Sequence, residues 1–450
     1  MSAQSSERQY LKAIFNTALT AVDPYNAVLK AVKVEHDRLQ VGGAQYDLAA
    51  FDRIVVVGAG KATARMALAV ESLLGAKIAA GLIVVKEGHT IPLSIIEQVQ
   101  SSHPVPGVSG VAATARILDM VRTADERTLC ICLISGGASA LLVAPAAGIT
   151  LHDKQETTRT LLNAGASINE LNAVRKHLSR VKGGLLAQAA YPAQVVTLIL
   201  SDVIGDALDV IASGPTAPDG STFADAWAVI EKFGLQEKLP PHVRDYLQRG
   251  VVGQEVETVK GDDSCLNNTH NVIIASLHEA MIAAQKKAEQ LGLVTTLISE
   301  TLQGEARDAA RFLAQVARDE LAVMQANEWR CLLCGGETTV TVSGSGKGGR
   351  NQEFALAFSL EIDGVQGVTL LSAGTDGTDG PNDAAGALID GGTVSGARSL
   401  GIDPMTYLAN NDSYNFFQSF DAATGGNSHF KTGATGTNVM DMQIVLLRKA

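Results

Sequence analysis

Apolar runs that end in glycine recur along the chain and constrain its fold more than any other feature. RIVVVGAG at 53–60 precedes a helical pattern, and TLCICLISGG at 128–137 leads into ASALL. WRCLLCGG at 329–336 and VTLLSAG at 368–374 have the same character. Strands that are apolar on both faces are typical of parallel sheets covered by helices. The pattern therefore predicts an α/β protein.

Length and one polar segment predict two domains. A chain of 450 residues corresponds to two or three domains. Residues 250–270 are polar and weakly periodic, and a second α/β series begins after them with NVIIAS. We therefore expect a Rossmann-like domain over 1–262 and a second α/β domain over 263–450, both with mainly parallel sheets flanked by helices. Because clefts between domains commonly hold small molecules, we expect the active site there.

Composition excludes several classes of partner. The formal net charge of −11 gives no basic surface for nucleic acid or anionic lipid. The N-terminus lacks a signal-peptide pattern, and the apolar runs are far shorter than the roughly 20 residues that span a bilayer. We therefore expect a cytoplasmic protein with small-molecule substrates, and homo-oligomers remain open. Cys331 and Cys334 form a lone C-x-x-C motif, which we interpret as buried core thiols and not as a zinc site.

Two glycine turns are candidates for binding anions. In GAGKA at 58–62, Lys61 stands at a helix start, where backbone N–H groups already favour an anion. The turn is not a Walker A loop, because Ala62 follows the lysine. In SGGASALL at 135–142, Ser135 and the two glycines after it could form a nest of N–H groups. Both segments are also compatible with ordinary tight turns, and SGGASALL taken alone favours that interpretation.

A basic segment and two acidic loops complete the first set of candidates. VRKHLSRVKGG at 174–184 includes Lys182 and is either a solvated helix face or part of a nucleotide site. Asp202 and Asp206 follow VVTLIL, and Asp376 follows VTLLSAG. Such carboxylates are either turn formers or Mg²⁺ ligands. Acidic loops together with cationic glycine turns are the combination that phosphoryl transfer requires.

The run SGSGKGGRNQE at 343–353 places Lys347 and Arg350 among four glycines, directly before a helical pattern. Arginine presents a planar fork that matches a carboxylate or phosphate at two points. Glu337 is positioned in the sequence to fix that arginine or to lie near a metal. A flexible linker is the alternative, but the run lies between a strand and a helix and not between domains.

These motifs, taken in order with SDVIGD, AGTDGTDGP and GATGTN, resemble the class II glycerate kinases, whose C-terminal domain is called MOFRL. The resemblance covers nearly the whole chain, and GKGGRNQE with GTDGTDGP is its most specific part. It implies ATP as donor, Mg²⁺ as cofactor and D-glycerate phosphorylated at the 2-hydroxyl, with Lys61 and Arg350 critical. Ala138 and Ala434 replace a glycine and a proline of many relatives, but neither change removes a charge or a donor.

The resemblance and the residues together give a hypothesis for the site. We expect Arg350 to hold the glycerate carboxylate, Lys61 to stabilise the transferred phosphoryl group, and Asp206 to act as base or metal ligand. Asp202 is the other metal candidate and Asp376 the reserve. The nucleotide- and phosphate-binding candidates are Ser135, Gly136, Gly137, Ser139, Lys182, Gly346, Lys347 and Gly348.

Two rival functions stay open at this stage. An NAD(P)H-dependent hydroxypyruvate reductase would need a dinucleotide fingerprint. Gly58 and Gly60 begin one, but Thr63 stands where the third glycine should be, and AAGLIVV offers no fitting acidic residue. A non-catalytic phosphometabolite sensor would bind nucleotide without turnover, although it would not need the acidic loops.

Overall fold

The structure, a computed structural model, describes residues 3–450. Its helices are α1 (Ala3–Ala21), α2 (Pro24–Ala31), α3 (Thr63–Leu74), α4 (Val108–Arg122), α5 (Ala138–Leu141), α6 (Leu151–Asn163), α7 (Ile168–His177), α8 (Leu185–Ala190), α9 (Phe223–Lys232), α10 (Pro241–Val251), α11 (Leu277–Gln290), α12 (Ala306–Val323), α13 (Arg350–Glu361), α14 (Thr393–Ser399), α15 (Pro404–Ala409) and α16 (Ser413–Thr424). Its strands are β1 (Val32–Glu35), β2 (Arg38–Val41), β3 (Ala44–Asp47), β4 (Arg53–Ala59), β5 (Ile78–Lys86), β6 (Glu97–Ser101), β7 (Thr128–Ile134), β8 (Gln194–Leu200), β9 (Thr269–Ala275), β10 (Val294–Leu302), β11 (Trp329–Gly336), β12 (Val368–Gly374), β13 (Gly386–Asp390), β14 (His429–Phe430) and β15 (Asp441–Arg448).

The chain forms two compact units. The first unit is Pro24–Ile274, and the second combines the chain up to Asp23 with Ala275–Ala450. The predicted boundary at 262/263 differs from this division, because β9 joins the sheet of the first unit. Helix α1 belongs to the second unit because its apolar face is buried there. Phe15, for example, packs edge-on against Phe430 with ring centroids 5.2 Å apart.

The first unit contains the parallel sheet that the sequence predicts. Its strand order is β6-β5-β4-β7-β8-β9, and the pairs from β6 to β8 are all parallel. Every residue of β7 is buried, which explains the uninterrupted apolar run TLCICLI. A small antiparallel sheet, β1-β2-β3, precedes it. In such sheets, ligands bind beyond the carboxyl ends of the strands.

The sheet of the second unit is mixed and differs here from the expected parallel arrangement. Its order is β10-β11-β15-β12-β13-β14; β10 and β11 are parallel, and the other neighbours are antiparallel. The connection from β12 to β13, residues 375–385, contains no helix. A parallel pairing needs a crossover of about a dozen residues or more, usually helical. The connection TDGTDGPNDAA is rich in turn residues and contains no helix, so β12 and β13 pair antiparallel.

Several local predictions are confirmed. The helices predicted at 107–124, 150–163, 167–178 and 276–291 form with ends shifted by at most two residues. Ser167 and Glu170 make the predicted capping box of α7. Cys331 and Cys334 are buried free thiols, and burial raises the pKa of each to about 12. Within residues 3–450, no helix is both long enough and apolar enough to cross a bilayer.

Candidate active site

The turns that follow β4 and β7 are joined by hydrogen bonds. The N–H of Lys61 donates to the carbonyl of Gly136 at 2.9 Å, and the N–H of Ala62 donates to Ser135 Oγ at 3.1 Å. Gly60 has φ 142°, and a Cβ there would lie 2.0 Å from Ser135 Oγ. Only glycine fits so close an approach. Hydrogen bonds thus hold residues 59–62 and 135–137 together, and we call these residues the Lys61 platform.

The platform gives Ser135 a role other than the predicted phosphate contact. Ser135 is buried, and its hydroxyl also contacts the hydroxyl of Thr63 at 3.0 Å. The hydroxyl therefore serves the turn that carries Lys61. Gly137, whose φ is 84°, allows the chain to enter α5 directly after the platform.

Side chains from neighbouring strand ends gather around Lys61. Lys86 ends β5, His103 follows β6, and Asp202 follows β8. His89 Nδ1 lies 3.0 Å from the carbonyl oxygen of Lys61, and because a carbonyl only accepts, this nitrogen carries the proton. We call Lys61, Lys86, His89, His103 and Asp202 the strand-end cluster.

The electrostatics of the strand-end cluster couple its members. Burial lowers the pKa of His103 to about 4, and the charges of Lys61, Lys86 and His89 contribute in the same direction. Burial raises the pKa of Asp202, and the charge of Lys61 opposes that shift. The cluster therefore combines two lysines with one carboxylate, a local excess of positive charge in a protein whose net charge is −11. Such a site favours anions.

Lys182 holds a neighbouring turn in place. It is almost fully buried, and its ammonium donates to the carbonyl and the hydroxyl of Ser139 at 2.8 and 2.9 Å. A third bond, at 3.3 Å, reaches the carbonyl of Ala212. Burial lowers the pKa of Lys182 well below that of an ordinary lysine. These bonds use all three ammonium donors and tie Lys182 to the turn that carries Ser139.

The hydroxyl of Ser139 continues this network. It lies 2.9 Å from the hydroxyl of Ser213, which donates to Oδ1 of Asn172 at 3.2 Å. Ser213 has φ 62° and Ala212 has φ 54°, so this turn adopts a left-handed conformation that non-glycine residues rarely take. Three segments that are distant in sequence therefore fix the position of Ser139.

The sequence left open whether the basic segment at 174–184 is a solvated helix face. In the structure, the lysine within its helix, α7, is not exposed to solvent. Lys176 is buried and forms ion pairs with Asp219 at 3.2 Å and Asp209 at 3.1 Å. These side chains line a polar cavity of about 360 Å³ together with Asn172. Two carboxylates therefore balance the ammonium of Lys176, so Lys176 gives this cavity no excess of positive charge.

In the second unit, Arg350 begins α13 and is held by two carboxylates. Its Nε and Nη2 donate to Asp441 at 2.5 and 2.9 Å, and its Nη1 lies 3.1 Å from Glu337. Asp441, at the start of β15, is fully buried. The expected contact between Glu337 and Arg350 is thus present, while Asp441 is a partner that the sequence analysis missed.

The glycines before Arg350 serve close packing. A Cβ on Gly344, Gly346 or Gly348 would lie within 2.2–2.4 Å of atoms in residues 410–413. The N–H of Gly346 donates to the carbonyl of Asn410, and the N–H of Lys347 donates to Asp412 Oδ1 at 2.7 Å. We expected the N–H groups of Gly346 and Lys347 to bind phosphate. In the structure these N–H groups instead have hydrogen-bond partners inside the protein.

Other side chains in this loop system also have local roles. The ammonium of Lys347 lies 4.1 Å from the centre of the Tyr414 ring, a cation–π contact. Asp376 Oδ1 accepts from the N–H and the hydroxyl of Thr378 at 3.0 Å, which makes an Asx turn. Asp379 accepts from the N–H groups of Asn351 and Gln352 and so caps the first turn of α13.

The carboxylates do not form a prebuilt metal site. Within the described part of the chain, no three His, Cys, Asp or Glu side chains converge to hold an ion. Asp206 has φ 54° in the short turn Ile204–Asp206, four positions after Asp202. Mg²⁺ is commonly bound by one or two carboxylates plus the phosphates of a substrate, so Asp202 and Asp206 suit that mode better than a closed protein cage.

The structure adds residues that sequence reasoning missed. Asp441 had one usable signal: it is a lone acid at the start of the apolar run MDMQIVLL, and a buried acid needs a cation. No sequence signal pointed to His103, because a histidine before proline, as in SSHPVPG, is compatible with an ordinary turn. Ser213 likewise looks like part of an ordinary SGPT turn.

Family profiles and known proteins match most of the chain. A profile described as a domain of unknown function (DUF4147) matches residues 10–248, and the MOFRL family profile matches residues 330–441. A D-glycerate 2-kinase from Thermotoga maritima is 42% identical over 398 residues, covering 88% of this chain and 91% of the relative. A protein from Agrobacterium vitis with the provisional name hydroxypyruvate reductase is 41% identical, covering 88% of this chain and 99% of that relative.

A solved structure shows the same fold. The crystal structure of glycerate kinase from Thermotoga maritima matches with a TM-score of 0.85 and 39% sequence identity, covering 98% of this chain and 100% of that chain. Likeness of this extent covers both units and both sets of motifs. The chain therefore belongs to the MOFRL-containing family of glycerate kinases.

Proposed function

We propose that this chain transfers the γ-phosphoryl group of ATP to the 2-hydroxyl of D-glycerate, giving 2-phosphoglycerate and ADP. The observation that carries the proposal is the Lys61 platform, which anchors a lysine among the ends of five adjacent parallel strands. The strand-end cluster supplies local positive charge for phosphate groups. The similarity of this chain to a D-glycerate 2-kinase is our basis for proposing D-glycerate as the acceptor and its 2-hydroxyl as the group that is phosphorylated.

Lys61 is proposed to stabilise the charge that spreads over the transferred phosphoryl group. Phosphoryl transfer depends mainly on positioning and on preorganised positive charge. The turn of Lys61 is fixed by hydrogen bonds to Ser135 and Gly136 and by the contact with His89. The main chain at Lys61 therefore needs little reorganisation when the substrate binds.

Arg350 is proposed to bind the carboxylate of glycerate. A guanidinium has five N–H donors. Three nitrogens of Arg350 contact Asp441 and Glu337 in the structure, and the Arg350 side chain is 35% exposed to solvent. Donors on the exposed edge remain for a substrate carboxylate. Lys61 and Arg350 are thus both proposed to act in this reaction.

Asp202 and Asp206 are proposed to serve the metal and the acceptor hydroxyl. When bound with ATP, Mg²⁺ would neutralise phosphate charge, and Asp202 is the carboxylate we expect to hold it. Asp206 is proposed to accept a hydrogen bond from the 2-hydroxyl of glycerate and so to orient it. Asp376 stays a reserve candidate, because one of its oxygens already caps a turn.

The product formed from ATP and D-glycerate tests the function directly. We expect phosphorus and carbon NMR to show 2-phosphoglycerate, with ADP formed only when glycerate is present. A 3-phospho product would contradict the proposed acceptor position. Nucleotide binding without turnover would favour the sensor hypothesis, and ADP formation that does not depend on glycerate would contradict glycerate as the acceptor.

The hydroxypyruvate reductase alternative is less compatible with the structure. Thr63 takes the place of the third glycine of a dinucleotide fingerprint, and its buried hydroxyl contacts Ser135. That glycine normally permits close packing of helix against strand. Incubation with NADH or NADPH and hydroxypyruvate, followed by absorbance, separates the two activities, and we expect no oxidation of either cofactor.

A further inference from the structure

His103 lies against the Lys61 platform. Ring atoms Cδ2 and Nε2 of His103 are both 3.0 Å from the position that a Cβ on Gly137 would occupy. Lys61 Cγ is 3.5 Å from that same position. The imidazole and the lysine side chain therefore flank one glycine, and the absence of a side chain at Gly137 makes room for both.

The surroundings of His103 are positively charged. Lys61 reaches it from the turn after β4, and Lys86 and His89 reach it from the end of β5 and the loop that follows. The carboxylate of the strand-end cluster is that of Asp202, after β8, and its charge interacts with that of Lys61. Burial and these cations keep His103 neutral near pH 7, because its pKa is lowered to about 4.

His89 differs from His103 although both are histidines of the same cluster. Its Nδ1 is used by the carbonyl of Lys61, so it supports the lysine turn. His103 instead packs its ring edge against Gly137, beside the lysine side chain. Of the two, His103 is therefore the better candidate for contact with a ligand at Lys61.

We propose that His103 is an anion-binding residue and that it takes up one proton from solvent when a phosphate group binds beside Lys61. Burial is the main factor that disfavours the imidazolium, and the charges of Lys61 and Lys86 add to it; a phosphate dianion would offset those charges. The resulting imidazolium N–H would donate a charge-assisted hydrogen bond to a phosphate oxygen. The identity of the phosphate as ATP rests on the proposed function, but the chemistry is that of any tetrahedral dianion.

Proton uptake has a defined consequence for affinity. If the complex binds one proton more than its free components, affinity rises as pH falls, by up to about tenfold per pH unit between the free and bound pKa of His103. Sulfate is the suitable probe, because it stays dianionic across the range in which phosphate itself would titrate. ADP then tests whether a nucleotide phosphate occupies the same place.

The experiment uses the full chain labelled with ¹³C-histidine, and the His103 Cε1 signal is identified by its loss in H103Q. We expect added sulfate, and separately ADP, to shift this signal to the imidazolium position near neutral pH. H103Q should lose most of the pH dependence of sulfate affinity. H242Q, at an exposed position on α10, should keep it, and H89Q reports any contribution of the second histidine.

Two results would overturn the proposal. One is a His103 signal that stays neutral when sulfate and ADP saturate the protein, or the failure of both anions to bind. The other is a folded H103Q variant whose sulfate affinity depends on pH as steeply as that of the unsubstituted protein. Neither readout involves glycerate turnover, so failure of this inference is distinguishable from failure of the proposed kinase reaction.

Discussion

The guanidinium of Arg350 and the carboxylate of Asp441 form a two-point ion pair that joins the start of α13 to the start of β15. The Asp441 side chain is 1% exposed, whereas that of Arg350 is 35% exposed. A paired fork of this kind fixes the plane of the guanidinium as well as its position. The orientation that we propose for glycerate binding therefore depends on a buried acid far along the chain.

Replacement of Asp441 by Asn should weaken both the fold and the activity. The amide accepts at one oxygen only, and its NH₂ group would face the guanidinium donors. We expect the free energy of unfolding to fall by about 2 kcal/mol, below the full value for a buried pair because Arg350 is partly solvated. We also expect kcat/KM for glycerate to fall by about tenfold or more. Urea denaturation and steady-state kinetics measure the two effects.

The matched control for D441N is E337Q. Glu337 contacts the same arginine, but its side chain is 47% exposed. Partly exposed pairs contribute less than about 1 kcal/mol, so E337Q should be much the milder change in stability. Equal losses of stability in the two variants would contradict the importance given to the buried pair.

Replacement of Lys61 by Ala should reduce kcat/KM by on the order of a hundredfold or more, because one preorganised charge is lost. The free energy of unfolding should change little, since the main-chain bonds of the platform remain. K77A is the control: Lys77 is an exposed lysine of the same unit, paired with Asp37. Turnover in K61A like that of K77A would remove Lys61 from the proposed role.

Gly346 should not tolerate a methyl group. A Cβ there would lie 2.4 Å from Asp412 Cβ and 2.6 Å from the carbonyl oxygen of Asn410. We expect G346A to lower the free energy of unfolding by about 1–3 kcal/mol, as overpacking does. In contrast, Gly396 lies inside α14 with its nearest contacts at 3.5 Å, so G396A should stabilise by about 0.5–1 kcal/mol. A stable G346A would show that the loop can move away from residues 410–412.

Glu170 should make stability depend on pH. Hydrogen bonds from Lys232 and Ser167 lower the pKa of this carboxyl to about 2. Because the folded-state pKa lies below the ordinary value of 4.5, the stabilisation is present above that value and is lost as pH falls toward 2. The difference in unfolding midpoint between the unsubstituted protein and E170Q should therefore shrink with acidification. A constant difference would mean that the capping charge is unimportant.

The sequence was sufficient for the local structure and for the motif positions because both follow from short-range rules. Buried runs with terminal glycines indicated the strands, and Ser167 with Glu170 indicated a helix start. The likeness of the ordered motifs to one family identified the reaction class. Lys61 and Arg350 became candidates through the family motifs that contain them, because a glycine turn with a solvated lysine is also an ordinary structure, and their roles stay predictions.

Partners across the chain were beyond such rules. The same glycines of SGSGKGG are compatible with a phosphate nest or with close packing, and only the position of Asn410 decides between them. Likewise, nothing in KGG shows that Lys182 is buried against Ser139. The antiparallel pairing of β12 with β15 joins segments that are about seventy residues apart, so no local pattern reports it.

The order of the parallel sheet has a consequence for how such an enzyme can change. Lys86 is the last residue of β5, and Lys61, His103 and Asp202 lie in separate loops beyond β4, β6 and β8. The core beneath them is formed by buried apolar residues of the strands and helices, and none of these four side chains belongs to it. Selection can therefore alter the preferred substrate by exchanging one loop residue at a time, while the scaffold that sets their spacing is inherited intact.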